Sequence, residues 1–404
     1  MRCLLHLLHV LLTAGVNITA SAAVHPTLSD IRIHAVNTEA GGHVEHAFST
    51  TAKRQTALRG TFVSLSQSVC NAAGNWHTEL AAMAALRMDT IVTISSVDTE
   101  PAGNRSTAFY PSMLPFVTEW LEGKADCIGN LLHAAQARGG FHVHLGLELN
   151  RGFDEAFWHG SSNVTFFREA ASHNMQIMGE LQQLYGQRYA GTLVGVYDSN
   201  EINDVEMNYW ATKVYYLPWV RHYLRPTHMH AVTLNLTSSN APYFCHSGPN
   251  PAGWGPAAVA AFYRKMLDDI RPGMQRLWVQ DCVGVSTGEL YANLSGDWFR
   301  HPRDVLPFYA ALAATMRGLD PPRLLWSDTE IFSNEIIAGH EVNYSAAPVE
   351  RVLQQLNGEA AYVGGAVSFS WQYLSPSLGL VQSATKLHAE YATAIGAAVH
   401  DLAI

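Results

Sequence analysis

Eight short runs of apolar and β-branched residues recur along the chain, at Thr61–Leu65, Thr90–Ser95, His142–Glu148, Leu193–Tyr197, His230–Leu234, Arg276–Gln280, Arg323–Ser327 and Ala366–Trp371. Each is followed by a longer stretch whose apolar residues return every three or four positions. These stretches are Thr78–Leu86, Cys127–Ala137, Val164–Tyr185, Met207–Tyr223, Pro256–Asp269, Arg303–Met316, Ala347–Leu356 and Thr385–Leu402. The short runs suit strands and the 3.6-residue period suits helices. Strands separated by helices pair in parallel, because a parallel neighbour needs a long crossover. Eight such units, with a last helix closing the chain, predict a single (β/α)8 TIM barrel rather than an open doubly wound sheet. A dinucleotide-binding sheet would carry a Gly-rich turn after its first strand. The chain has Ser66-Gln67-Ser68-Val69-Cys70 there, which argues against that fold.

The ends of the chain divide differently from its middle. Arg2 precedes an apolar stretch from Leu4 to Val16, and Ala20-Ser21-Ala22 is a small-x-small cleavage pattern. Residues 1–22 are therefore expected to be a secretory signal peptide, the apolar run being too short for a membrane span. Residues 23–60 are expected to form an extension packed on a barrel of residues 61–404. Five N-x-S/T sequons follow the leader, at Asn104, Asn163, Asn235, Asn293 and Asn343. Cys70, Cys127, Cys245 and Cys282 remain after cleavage. An even number of cysteines in an oxidising compartment permits two disulfides, with three possible connectivities. The preferred pairing is Cys70 with Cys127 and Cys245 with Cys282. Localisation is expected to be secreted, or in a lysosomal or other endomembrane lumen.

Charged residues make up only 15% of the chain and the formal net charge is -9. Without a basic run, nothing grips a phosphate backbone, so nucleic acid is not an expected partner. No Cys or His spacing suggests a metal site, and no cofactor is implied. Against this sparse background, acids and amides recur at one end of successive strands. The first strand ends near Gln67 and the second near Asp98. The third ends in Glu148 and Asn150, and the fourth runs from Tyr197 through Asp198-Ser199-Asn200-Glu201. The sixth ends in Gln280-Asp281, the seventh runs into Asp328-Thr329-Glu330, and the eighth ends in Trp371-Gln372-Tyr373. In barrel enzymes chemistry sits at the C-terminal strand ends. Glycosidic cleavage needs two carboxyl groups, one to protonate the leaving oxygen and one to attack or to activate water. Crowded carboxylates raise one another's pKa, which keeps one of them protonated for the acid role.

Asn200-Glu201 at the fourth strand end is similar to the Asn-Glu pair of the large retaining glycosidase clan built on this fold. Glu330 and Trp371 resemble that clan's nucleophile and sugar-platform positions. The likeness implies Glu201 as acid/base, Glu330 as nucleophile and Asn200 as a ligand of the neighbouring hydroxyl. Substrate contacts are expected from Asn200, Glu148, Gln280, Asp281, Asp328, Trp371, Tyr373, Tyr197 and Gln67. Three segments resemble a further family. They are Gly195-Val196-Tyr197-Asp198-Ser199-Asn200-Glu201, Val279-Gln280-Asp281-Cys282-Val283-Gly284 and Leu325-Trp326-Ser327-Asp328-Thr329-Glu330-Ile331-Phe332. Their pattern is similar to the domain-of-unknown-function 4434 family, a glycoside-hydrolase-like barrel, over roughly Thr61 to Trp371. The departure is Cys282, where that pattern carries Gly.

The expected function is a secreted glycoside hydrolase acting on an oligo- or polysaccharide, with two Glu and retention of configuration. The alternative is a non-catalytic carbohydrate-binding barrel that uses Trp371, Tyr243 and Trp254 as stacking surfaces. A chitinase-type D-x-D-x-E strand does not fit Asp198-Ser199-Asn200-Glu201. An amidohydrolase-type H-x-H is missing from the first strand, since His142-Val143-His144 lies in the third.

Overall fold

Eight parallel strands close into a barrel in this computed structural model. It describes residues 57–400 apart from 73–75, 102–104, 122–125, 154–163, 203–212, 244–254, 285–300, 338–340 and 379. The strands are β1 (Leu58–Val63), β2 (Thr90–Thr93), β3 (His142–Gly146), β4 (Leu193–Asp198), β5 (Thr237–Asn240), β6 (Arg276–Gln280), β7 (Leu324–Glu330) and β8 (Ala366–Phe369). Each pairs with its sequence neighbours, and β1 closes the ring by pairing with both β2 and β8. The Leu58 N–H also donates to the Tyr391 hydroxyl at 2.7 Å. That bond ties the first strand to the closing helix Ala384–His400. The expected signal peptide and almost all of the expected extension lie outside the described residues.

Strand period 2 sorts the side chains. Phe62, Val92, Tyr197, Trp278, Trp326 and Val367 meet inside the barrel. Leu277, Val279 and Leu325 pack outward with the helices Pro256–Asp269 and Leu306–Arg317. At the N-terminal end of the interior, the Arg276 guanidinium lies over Trp278 and Trp326, 4.7 and 4.6 Å from the ring centroids. It also lies 3.3 Å from His144 Nε2. His144 is buried against Trp278. Burial, helped by the Arg276 charge, holds its pKa well below the usual range. Arg276 and the two Trp therefore floor the barrel at its N-terminal end.

One predicted strand is corrected. His230–Leu234 is not the fifth strand, because residues 230–233 complete the helix Arg225–Thr233. That helix continues Lys213–Trp219 through a π-helical turn at Val220–Leu224. The actual β5, Thr237-Ser238-Ser239-Asn240, has no apolar residue. Its two serines find partners outside the strand. Ser239 Oγ donates to the Val196 carbonyl at 2.9 Å, and Ser238 Oγ lies 2.5 Å from His228 Nδ1. Glu148 is also separated from β3. It opens a strand, Glu148–Asn150, in a small four-stranded sheet with Val97–Thr99, Ser106–Ala108 and Glu119–Trp120.

The Cys70–Cys127 disulfide joins the helix Gln67–Ala72 to the first residue of the helix Cys127–Arg138. Cys282 is also disulfide-bonded, and Cys245, its expected partner, lies outside the described residues. Closing a loop of 57 residues constrains the unfolded chain by about 4 kcal/mol. Cys70→Ser with Cys127→Ser should lower unfolding stability by that order, read by denaturant titration. A loss no larger than that of a neutral surface substitution would mean the bridge adds nothing. Among the described residues, no helix is long and apolar enough to cross a membrane.

Candidate active site at the C-terminal barrel mouth

Tyr197, on β4, points into the barrel. Four residues later Glu201 follows the strand, and the Tyr197 hydroxyl donates to Glu201 Oε1 at 3.1 Å. The turn between them is built by amides. The Asn200 N–H donates to Asp198 Oδ1, and Asn240 Nδ2 donates to the Asp198 and Asn200 carbonyls at 3.2 and 2.9 Å. The Asn200 side chain gives its Nδ2 to the Tyr223 hydroxyl at 2.6 Å and to the Glu148 carbonyl at 3.4 Å. Asn200 thus fixes the turn that presents Glu201.

Asp198 has the opposite parity to Tyr197 and faces the helix layer. It accepts from Tyr223 at 2.6 Å and lies 3.5 Å from His228 Nε2. Burial pushes Asp198 up to about 7 and His228 down to about 3. The imidazole is therefore neutral, and the contact is not an ion pair.

On β7, residues 326, 328 and 330 share the inward face. Above Trp326 sits Asp328, fully buried, and beyond it Glu330, 1% exposed at the strand end. Among the described residues, neither Asp328 oxygen has a hydrogen-bond partner. Burial raises the Asp328 pKa well above the usual range, and the charges of Glu201, then Glu330, Asp281 and Glu359, push it further. The Glu330 backbone is held on both sides. Its N–H donates to Asp281 Oδ1 at 3.2 Å, and its carbonyl accepts from Gln355 Nε2 and Arg351 Nη2, each at 3.2 Å. Gln355 Nε2 also donates to Asp281 Oδ2. Asp281 is therefore a buried anchor behind Glu330. Burial raises it to about 6, opposed by its bonds from Gln355 and the Val283 and Glu330 amides. Glu359, raised by burial and by the charge of Asp281, shares this pocket.

The turn after β6 fits closely against Glu330. A Cβ on Gly284 would stand 2.9 Å from Glu330 Cβ and 3.0 Å from Oε2, so only glycine fits. Cys282, in the same turn, has φ of +58°. That left-handed conformation costs an ordinary residue on the order of 1 kcal/mol, which accounts for the Gly of the family pattern.

The other expected residues divide. Gln280 ends β6, buried, with Nε2 3.4 Å from the Ala241 carbonyl. Tyr373 is nearly buried and stacks on Phe332, ring centroids 5.2 Å apart. Gln67 opens the helix after β1. The Glu148 carboxylate accepts from the Thr99 hydroxyl at 2.7 Å and lies 3.1 Å from His173 Nδ1. His142 is exposed at the start of β3, whereas His144 is buried. Trp371 is fully buried, its indole N–H donating to Glu79 Oε2 at 2.7 Å. Its ring sits edge-on to His388, so it offers no free face for stacking. Phe369, partly exposed and paired with Glu330 across β8 and β7, is the aromatic at this strand end.

Asn240, Tyr223, Arg351, Gln355, Glu359 and Phe369 were missed from the sequence. Three of them had a readable signal. Arg351, Gln355 and Glu359 recur every four residues in Val349–Glu359, on the stripe that buries Val352 and Leu356. Polar residues interleaved with a core stripe mark a helix that must satisfy something inside.

No curated protein matches the sequence. Solved structures similar to this chain include a provisionally assigned alpha-L-fucosidase from Bacteroides thetaiotaomicron. It is 16% identical, with a TM-score of 0.59 over 84% of this chain and 95% of that one. A GH18 chitinase from Pseudoalteromonas aurantia is 10% identical, with a TM-score of 0.45 over 83% and 99%. A beta-glucosidase from Thermotoga maritima is 12% identical, with a TM-score of 0.44 over 78% and 89%. The first likeness agrees with the barrel seen here. The sequence profile described as a domain of unknown function, DUF4434, matches residues 58–377, which include all eight strands and both glutamates, and the chain belongs to this family.

Proposed function

We propose that this barrel is a secreted glycoside hydrolase in which Glu201 is the acid/base and Glu330 the nucleophile. The observation that supports this reading is Asp328. Among the described residues it is a buried carboxyl without a hydrogen-bond partner, and the charges of Glu201 and Glu330 both act on it, which supports a shared interior for the two glutamates. Its own proton matters too. A neutral Asp328 relieves the repulsion of three adjacent carboxylates and leaves the two glutamates to share the work. In the retaining sequence, Glu330 attacks the anomeric carbon while Glu201 protonates the leaving oxygen. Water, deprotonated by Glu201, then releases the sugar from Glu330. Retention needs the two carboxyls about 5–5.5 Å apart. Tyr197 and Asn200 hold Glu201, and Asp281, Gln355 and Arg351 hold Glu330. Export is supported by the leader pattern, the Cys70–Cys127 bridge and the exposed sequon at Asn235.

The test is a panel of defined glycosides with the product anomer read by proton NMR. Hydrolysis with retention is expected. Hydrolysis with inversion would overturn the double displacement, and glycan binding without hydrolysis would favour the non-catalytic carbohydrate-binding barrel.

A further inference from the structure

A cavity of about 300 Å³ opens beside the mouth, between the ends of β1 and β8. Its walls include Ser64 and Ser66 after β1, Gln372 and Tyr373 after β8, and Tyr344 from the strand Glu341–Ala346. Leu380, 45% exposed, stands at its rim. Ligand pockets run from roughly 300 to 1,000 Å³, so this one suits a single small ring. Among the described residues, none that lines it is charged. Hydroxyls and an amide can exchange hydrogen bonds with a polyol, and tyrosine rings offer apolar surface to the C–H face of a sugar. An anion or a cation would be desolvated there without a counter-charge.

The cavity is one aromatic layer from Glu330. Tyr373 stacks on Phe332, which lies two residues, or about 7 Å of strand, beyond Glu330. Phe369, paired with Glu330, packs on the same Phe332 at 6.2 Å.

We infer that this cavity is a second sugar subsite that takes one uncharged ring of an oligosaccharide whose cleaved bond lies at Glu330, on the other side of that aromatic layer. The inference rests on the hydrolase reading and adds the substrate class: a neutral oligosaccharide rather than a single sugar, with no uronic acid or free amino sugar at this position.

Leu380→Trp narrows the rim and Gln372→Ala removes the amide. Each variant is assayed on an aryl monosaccharide glycoside and on the matching di- and trisaccharides. The expected result is a roughly tenfold or greater loss of kcat/KM on the oligosaccharides, carried by KM, with the aryl glycoside rate unchanged. Equal effects on both substrate classes, or none on either, would overturn the subsite and leave the hydrolase standing. Should the wild type hydrolyse nothing, the hydrolase reading fails, and an array of neutral oligosaccharides decides the cavity separately. Retention by the wild type and loss in Leu380→Trp supports it, whereas equal or absent retention overturns it.

Discussion

Glu330→Gln and Glu201→Gln should each abolish turnover on a glycan substrate while leaving the fold intact. For Glu201 the expected loss is that of a general acid/base, about 10²–10⁴-fold. It should be smaller on substrates with good leaving groups, which need no proton. For Glu330 no such rescue by the leaving group is expected, because the bond to the anomeric carbon cannot form at all. The fold should survive both changes. The Glu330 backbone is held by Asp281, Gln355 and Arg351 through atoms that Gln retains, and Glu201 is only partly buried. Circular dichroism and melting curves check the fold, and progress curves check the rate. Wild-type turnover in either variant would remove that residue from the mechanism.

The second large effect concerns stability. Asp328→Asn should make the protein more stable at neutral pH and flatten its dependence on pH. The sign follows from proton counting. The Asp328 pKa is raised in the folded chain, whereas an aspartate in the unfolded chain releases its proton near 3.8. Above that value the folded state binds more protons, so stability falls as pH rises towards the folded pKa and then levels off. The slope is about 1.4 kcal/mol per pH unit for one such group. Asp198 and Asp281, raised to about 7 and about 6, add falling segments of the same sign. His144 and His228, kept neutral by burial, act oppositely below about pH 6.5. The difference between wild type and Asp328→Asn cancels these shared contributions. Urea titrations from pH 5 to 8 should show the variant gaining on the wild type as pH rises. Parallel curves would mean that Asp328 is ionised in the folded protein. A gain in stability with a loss of activity would mark a residue retained for function.

The barrel was legible because most of its strands advertise themselves. Arg276–Gln280 alternates Trp278 inside with Leu277 and Val279 outside, and its bounds match the prediction. The helix Pro256–Asp269 was equally plain, opening on a proline that suits a first helical turn. β5 was not legible, since four polar residues carry no hydrophobic signal. Its place in the barrel depends on partners distant in sequence, namely His228, Val196 and the Asp198 carbonyl. Glu201 and Glu330 stood out as candidates because strand ends concentrate scarce charges. The site was less legible wherever parity decides direction. Asp198 and Asp328 are both acids near strand ends, yet one faces the helices and the other the interior. Trp371 shows the same limit: position alone did not reveal that its ring would be taken up by Glu79 and His388.

The floor of Arg276, Trp278 and Trp326 has a kinetic consequence. With the base filled, the proposed chemistry has the departing sugar leave by the C-terminal end through which the next substrate enters. Under the proposed chemistry, product and substrate then compete for the same free enzyme. The signature is competitive product inhibition, with slow product escape setting the pace whenever the released sugar binds tightly.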